Sequence, residues 1–539
     1  LANGRINIIE YEDNSFNISR AFEPTTPKEI EELQEEFHFD LQSIALENVE
    51  IDKINPEDLE FEVMVNKAQI GFRSKKEHLY LALKTDFNLS MIDQGDTTFL
   101  NNKPFSINSV LDYNKMVDSL IIPPSDINIG NVRFDFGGGI DLKDDVNVDV
   151  YLSGKKSDFS LIIALAPDDL IPVFKTFENR GDVFFDASIK GKSAFGFTPQ
   201  VEARFGCKEG YFKNPKTEKV LDEVNFVGYF TNGEDQTLES SRFELKDFNA
   251  RPETGRFKVN LTMDNFVSPE IDLNMTTLFD LDYLAKFLNV EDLQNLTGRV
   301  ELVMNFRDII DLENPEKSIE KFNESYYSLL KVDNLGFDIP GYDERIEDIN
   351  VSLIVDGNKA DLKRFSLKVG GSDLSISGSV SDLPAIIHHT NTPVDANLSI
   401  RSKAMDINEL TLARGDQVVE EYIKNFQMDL AFHSSAKAIT ESPYLPVGKF
   451  IISQFNAELT NYPHAIHDFH AEVIIDTTDL SIVDFSGFID QSDFHFSGKV
   501  KEYPMWFQET LDGDTHISFD LTSNLLQLKD IFSYDGENY

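Results

Sequence analysis

Residues 346–384 read IEDINVSLIVDGNKADLKRFSLKVGGSDLSISGSVSDLP. Apolar residues alternate with polar ones: Val351, Leu353 and Val355, then Phe365 and Leu367, then Leu374 and Ile376. A period of two places one set of side chains on one face of a strand and the other set opposite. Asp356-Gly357 between two such runs is an ordinary hairpin turn. The pattern returns at an offset of 120 residues, in IHDFHAEVIIDTTDLSIVDFSGFIDQSDFHFSGKVKEYP at 466–504, without a gap. Identical pairs include Phe365/Phe485, Ser372/Ser492, Asp373/Asp493, Gly378/Gly498 and Pro384/Pro504. The second copy places Val473, Ile475, Phe485, Phe494 and Phe496 on its apolar side. Turn and apolar positions are kept while solvent-facing letters drift, as in a repeated four-strand unit.

The alternation extends outward. Val300, Leu302, Met304 and Phe306 alternate in RVELVMNFR, and Val146 to Leu152, Phe257 to Met263 and Ile517 to Leu521 do the same. Burial is expected to be high at Val300, Leu302, Met304 and Phe306, and low at Glu301 and Asn305. Helical patterns are short: 28–37, 168–177, 280–288, 317–330 and 416–426. A strand, a polar turn and a helical turn recur at 276–288, 402–412 and 522–532, with a weaker copy at 164–174. The expected organisation is 1–40, a strand and helix segment; 41–178, the first groove unit or units; 179–292; 293–412, with a helical insertion at 311–330; and 413–539. The expected fold is mainly β: an elongated repeating β-groove, a curved and twisted antiparallel sheet with an apolar concave face, punctuated by short helices. The helices are too few to cover so many strands, so the apolar face is either the core of a closed sandwich or the floor of an open slot.

The chain has 539 residues with 49 Lys+Arg and 94 Asp+Glu, a net charge of −45. That charge excludes nucleic acid as a partner, because phosphate binding needs clustered cations. Hydrophobic residues are 41% and aromatics 11%, with Phe 44 against Trp 1. Phe lines a slot without a polar group needing a partner. The single cysteine, Cys207, makes an internal disulfide impossible.

No motif for phosphate cradling, zinc proteolysis or a serine nucleophile is present. His464, His467 and His470 offer imidazoles to a metal, yet their counterparts 120 residues earlier are Glu344, Glu347 and Asn350. They read as polar residues at a turn and on the wet face of a strand. Gly137-Gly138-Gly139 interrupts an alternating strand and predicts a bulge or bend. No catalytic residue, metal or cofactor is expected.

GGSDLSISGSVSDLP (370–384), DANLSIRSKAMDINEL (395–410) and TLFDLDYLAKFLNVEDLQNLTGRVELVMNF (277–306) resemble the AsmA family of Gram-negative envelope proteins, relatives of TamB. NGRINIIEYEDNSFNISRAF (3–22) resembles the segment after the amino-terminal anchor of that family. The resemblance implies a periplasmic body held to the inner membrane by an amino-terminal helix absent from this chain. It also implies a non-enzymatic role in moving phospholipid acyl chains between membranes, supporting outer-membrane integrity. The lining would include Val300, Leu302, Met304, Phe306, Val351, Leu353, Val355, Phe365, Leu367, Leu374, Ile376, Val473, Ile475, Phe485, Phe494 and Phe496. The alternatives are assembly of outer-membrane proteins and a structural spacer.

Overall fold

The computed structural model describes residues 1–9, 11, 17, 43–54, 60–93, 96–97, 101–143, 146–166, 171–193, 197–290, 294–309, 327–342, 344–411, 421–443, 445–459, 462–507 and 514–531. Two compact units divide the chain: unit 1 is Leu1–Arg251 with Asn260–Val267, and unit 2 is Pro252–Val259 with Ser268–Tyr539. Both are open, mainly β sheets in which sequence neighbours pair.

Unit 1 begins with β1 (Ala2–Ile9), β2 (Ser43–Ile54), β3 (Glu60–Lys75), β4 (His78–Asp93), β5 (Asp96–Thr97) and β6 (Lys103–Asn114). It continues with β7 (Ser119–Ile129), β8 (Val132–Asp141) and β9 (Asn147–Lys156). Two short helices follow, α1 (Ser160–Leu165) and α2 (Ile171–Lys175), and then β10 (Glu178–Lys192), β11 (Gln200–Lys213) and β12 (Val220–Thr231). β1 and β2 run parallel, and the later pairs up to β11–β12 are antiparallel. The main core lies where α1 covers the sheet. Phe134, Leu161, Val183 and Cys207 are there at 1%, 0%, 2% and 1% exposure. Gly154 permits that approach: a Cβ there would lie 2.6 Å from Leu161 Cδ1. The triple glycine stays inside β8, and the irregularity lies on its partner, where Pro123 and Pro124 fall between Ile122↔Gly138 and Ser125↔Phe136. The expected bulge therefore belongs to β7. Gly138 has φ +138°, and a Cβ there would come 2.1 Å from Asp149 O.

The division between the units runs through β13 (Arg242–Pro252) and β14 (Gly255–Asp264). Unit 2 then has β15 (Glu270–Asp280), α3 (Leu281–Leu288), β16 (Gln294–Ile309), β17 (Tyr327–Asp338), β18 (Ile346–Asp356), β19 (Lys359–Val369) and β20 (Ser372–Val380). Next come α4 (Leu383–Ile387), β21 (Pro393–Asp406), α5 (Ile407–Thr411), β22 (Glu421–Ser435) and α6 (Ala436–Glu441). β23 (Gly448–Leu459), β24 (Tyr462–Ile475), β25 (Asp479–Ile489) and β26 (Ser492–Lys501) lead to a 3-10 turn (Tyr503–Phe507), β27 (His516–Thr522) and α7 (Leu528–Ile531). All these strands pair antiparallel with their neighbours in order.

The repeat is visible to the residue. Register shifts fall at Glu347/Asn350 and His467/His470, at Ser352/Leu353 and Glu472/Val473, and at Leu362/Phe365 and Ile482/Phe485. Asp348 and Asp468, at the first of these shifts, have φ of 52° and 50°. Such bulges bend a strand and increase its twist. The identical Ser-Asp pair at the start of β20 and β26 holds the unit end in place. Ser372 Oγ accepts from Asp406 N at 2.8 Å, and Asp373 Oδ1 from Lys403 N and Ala404 N at 2.9 and 3.1 Å. Ser492 Oγ accepts from Gln527 N at 2.8 Å, and Asp493 from Asn524 N and Leu525 N at 3.0 and 2.7 Å.

Three helix expectations need comment. Residues 28–37 lie outside the described residues. Of 317–330, residues 317–326 lie outside them, and Tyr327 onward is strand β17, not helix. Of 416–426, residues 416–420 lie outside, and Glu421 onward is β22. In both, long antiparallel pairing overrides a local helical period, as at Leu330↔Leu353 and Tyr422↔Glu458.

Candidate functional site

Cross-strand partners share a face, so the registers define rows across unit 2. One row starts at Phe279 and Val300 and passes Val332, Val351, Phe365, Ile376, Ile400, Met428, Ile452, Ala471, Phe485 and Phe496 to Leu521. A second runs Thr277, Leu302, Leu330, Leu353, Leu362, Gly378, Leu398, Leu430, Phe450, Val473, Ile482, Gly498, Phe519. A third runs from Met275 and Met304 through Ser328, Val355, Ala360, Val380, Ala396, Phe432, Gly448, Ile475, Leu480 and Val500 to Ile517. Only Thr277 and Ser328 carry a polar side chain. Phe306 pairs with Leu273, Leu367 with Leu374, and Phe494 with Gly487, extending the same face. All sixteen residues expected to line a slot therefore share one face of unit 2.

That face is not sealed. Of the sixteen, Val355, Val473 and Ile475 are buried, at 4%, 8% and 2%, and the others are half-buried. The strong burial expected at Val300, Leu302, Met304 and Phe306 is not found; all four are half-buried, as is Glu301, while Asn305 is exposed. A close-packed second layer would bring such side chains to near-complete burial. Helices stand at both margins: α3 packs on β15 and β16 beyond the first row and buries Tyr283 and Phe287, and others lie along the third row. α4 and α6 bury Ala385 and Ala436 beside Val380 and Val394. The 3-10 turn buries Tyr503 beside Ile475 and Val500, its hydroxyl donating to Leu445 O at 2.6 Å. At β27 the face opens fully, with Ile517, Phe519 and Leu521 at 56%, 59% and 53% exposure.

Phenylalanines run across the strands in mutual contact. Phe426–Phe455, Phe455–Phe469, Phe469–Phe485, Phe485–Phe496 and Phe496–Phe519 have centroid separations of 6.1, 5.5, 4.6, 6.1 and 5.3 Å. The opposite face carries ion pairs: Arg299–Asp280 at 3.1 Å, Arg401–Asp429 at 2.9 Å, Lys449–Glu472 at 2.6 Å and Lys499–Asp479 at 2.6 Å. The Ser399 hydroxyl and the Arg401 guanidinium hold the Asp429 carboxyl below its usual range. The sheet is thus amphipathic, with these ion pairs on the face opposite the rows.

Two of the three histidines meet at Asp490, His467 through its Nε2 at 2.9 Å from the backbone O, while His470 stands apart. His464 Nδ1 meets Asp490 Oδ2 at 2.6 Å, His467 Nδ1 meets Asp468 Oδ2 at 2.9 Å, and His470 Nε2 lies 3.9 Å from Asp484 Oδ2. The Asp468 carboxylate pushes the His467 pKa up. Among the described residues no cluster of His, Cys, Asp or Glu has the makings of a metal site. Burial, with Asp182 nearby, pushes the Cys207 thiol up to about 11. Among the described residues no helix is long and apolar enough to cross a membrane.

Sequence reading missed how far the face extends. Leu330, Leu362, Leu398, Leu430, Phe450 and Ile482 complete the middle row, and the same alternation signals them. In comparisons with known proteins, no family model matches the chain, and neither a curated protein nor a solved structure matches it.

Proposed function

We propose that the apolar face of unit 2 shields the acyl chains of phospholipids during transfer between membranes, without catalysis. The observation that carries this reading is the set of three apolar rows crossing every strand from β15 to β27, the first two mostly half-buried and the third largely covered at its margin, with ion pairs on the reverse side. Twelve inter-strand steps of ~4.8 Å give a path of roughly 58 Å along a row, longer than one acyl chain. Exposing an acyl chain to water costs ~0.8 kcal/mol per CH₂, so ~16 carbons cost ~13 kcal/mol. An apolar slot removes most of that cost while a headgroup stays wet at its rim. The AsmA resemblance supplies the setting of this proposal: the periplasm of a Gram-negative envelope, inner-membrane attachment outside this chain, and a contribution to outer-membrane integrity.

The test is photocrosslinking with a phospholipid carrying a photoactivatable acyl chain. Adducts should map to Leu398, Leu430 and Phe450 and spare the reverse-face Ser399 and Asp429. Adducts spread equally over both faces, or none, would reject the slot.

A second reading rests on β27. Among the described residues it pairs only with β26, and all its residues are exposed. Such an edge accepts another strand, which suits a factor that assembles outer-membrane proteins. Crosslinks from β27 to unfolded barrel precursors, without lipid adducts on the rows, would favour it.

A further inference from the structure

The polar face of unit 1 departs from the acidity of the chain. Between residues 66 and 84 stand five cations, Lys67, Arg73, Lys75, Lys76 and Lys84, and one carboxylate, Glu77. The registers Lys67↔Asp86, Gln69↔Lys84, Gly71↔Ala82 and Arg73↔Tyr80 put four of the five on one face, and Lys76 stands on the β3–β4 turn. All five are exposed, and none has an ion-pair partner among the described residues. Lys115, on the β6–β7 turn, joins them: its N donates to Glu77 O at 2.8 Å and its Nζ to Ser74 Oγ at 3.0 Å. Two exposed carboxylates stand among them, Glu77 on the β3–β4 turn and Asp86 opposite Lys67, and two others are engaged by neighbours. Asp112 Oδ1 meets His78 Nδ1 at 2.7 Å, and Asp118 accepts from the Tyr113 hydroxyl. The adjoining segment 141–146 is acidic in sequence, with Asp141, Asp144 and Asp145 against Lys143, so the cations are concentrated on the β3–β4 and β6–β7 turns.

Two further features share this end of the strands. Small residues at Gly71 and Ala82 leave a trough of about 560 Å³ lined also by Arg73, Lys75, Tyr80 and Val110. On the β6–β7 turn Met116 and Val117 point outward at 71% and 53% exposure, unusual for large apolar side chains at a turn. Unpaired cations beside protruding apolar residues form the pattern of a segment that seats on a lipid interface.

We propose that the β3–β4 and β6–β7 turn end of unit 1 docks on a bilayer surface containing anionic phospholipid. Met116 and Val117 enter the headgroup layer, and Arg73 and Lys75 hold a headgroup phosphate in the trough. The chain as a whole, at −45, is repelled by that surface, so contact is confined to this end. The choice of lipid over another polyanion rests on the lipid-transfer reading; the cation cluster and the protruding turn stand without it.

The test is flotation with phosphatidylcholine vesicles, with and without phosphatidylglycerol. Binding should need phosphatidylglycerol and fall as salt shortens the screening length from ~10 Å at 0.1 M to ~3 Å at 1 M. Each charge removed should cost about five-fold in binding, and Lys75→Gln/Lys76→Gln about 25-fold. Met116→Asp/Val117→Asp should also lose flotation while folding normally. Failure of the wild-type chain to float, or unchanged binding by both double variants, would overturn the proposal. Full competition by soluble glycerol phosphate would assign a free phosphate ligand instead, and equal retention on heparin would assign a polyanion; either overturns the bilayer. An Ile376→Asp chain should still float, and a Lys75→Gln/Lys76→Gln chain should still capture detergent-dispersed lipid, so docking and slot fail separately.

Discussion

The sheet beneath α1 in unit 1 and the sheet from β15 to β27 in unit 2 are written in the same alternating code, yet their apolar faces end differently. Beneath the helix Phe134 and Val183 fall to 1% and 2% exposure. Along the rows of unit 2, Leu302, Leu398 and Phe450 remain half-buried. Alternation therefore dictates that a face is apolar, and a separate element decides whether it is covered. Where the chain supplies α1, with Gly154 making room for it, the result is core. Where it supplies only short helices and turns at the margins, the face stays half-buried.

The sharpest way to break this contrast is substitution at matched depth. Leu161→Ala, at 0% exposure, should cost ~2–5 kcal/mol, the range for a filled core. Leu398→Ala in the open row should cost less, ~1 kcal/mol, because partial exposure shrinks both the transfer and the cavity contributions. Equal losses in chemical denaturation would mean that both faces are core.

A smaller, local effect is expected at the Ser-Asp pair. The backbone N–H groups of Asn524 and Leu525 hold the Asp493 carboxyl below its usual range. A depressed folded pKa contributes stability that is present above the unfolded value, near 3.9, and lost as pH falls through the folded value. Protection factors at 523–528, taken relative to the intrinsic exchange rate at each pH, should therefore fall in acid. Asp493→Ala should reproduce that fraying at neutral pH while leaving β16 to β21 protected. Protection unchanged in the variant would refute the role assigned to this pair.

Cys207 supplies a comparison within one side chain. Buried at 1% and with its thiol pushed up to about 11, it should resist a thiol reagent in the folded chain and react at once in denaturant. Fast reaction in the native state would mean that the covered region opens readily.

The smallest effect concerns His467. Its pKa is raised, first by Asp468, so its contribution is complete below the unfolded value near 6.5 and is lost as pH rises through the folded value. The pair is largely solvent-screened, so His467→Gln should remove well under 1 kcal/mol at mildly acidic pH and nothing at alkaline pH. A midpoint comparison at the two pH values checks the sign.

Much of the architecture was legible in the letters. The gapless alignment of 346–384 with 466–504 anticipates equivalent strands, and the shared bulges at Asp348 and Asp468 bear it out. The identity of Ser372/Ser492 and Asp373/Asp493 was visible, but not its purpose, because their backbone partners lie some 30 residues onward across a strand pair. The strand starts at Tyr327 and Glu421 were misread because short apolar runs fit a helix as well as a strand until a partner is known. The cation cluster at 66–84 had a compositional signal that net charge concealed. Coverage of the apolar face was not legible at all, since it depends on what packs above the strands and not on their own pattern.

The most direct measurement places a carboxylate on the floor of the slot at two matched positions, Ile376→Asp and Phe496→Asp, with circular dichroism and acyl-chain capture read on the same samples. Both residues are half-buried on the same row. On an open face a carboxylate stays hydrated, so the variants should keep their strand signal and lose capture, because a passing chain must displace that water. In a closed core the same charge is buried without a partner and costs several kcal/mol. Folded variants without capture are the result this account predicts; global unfolding of both, or folded variants that capture lipid normally, would contradict it.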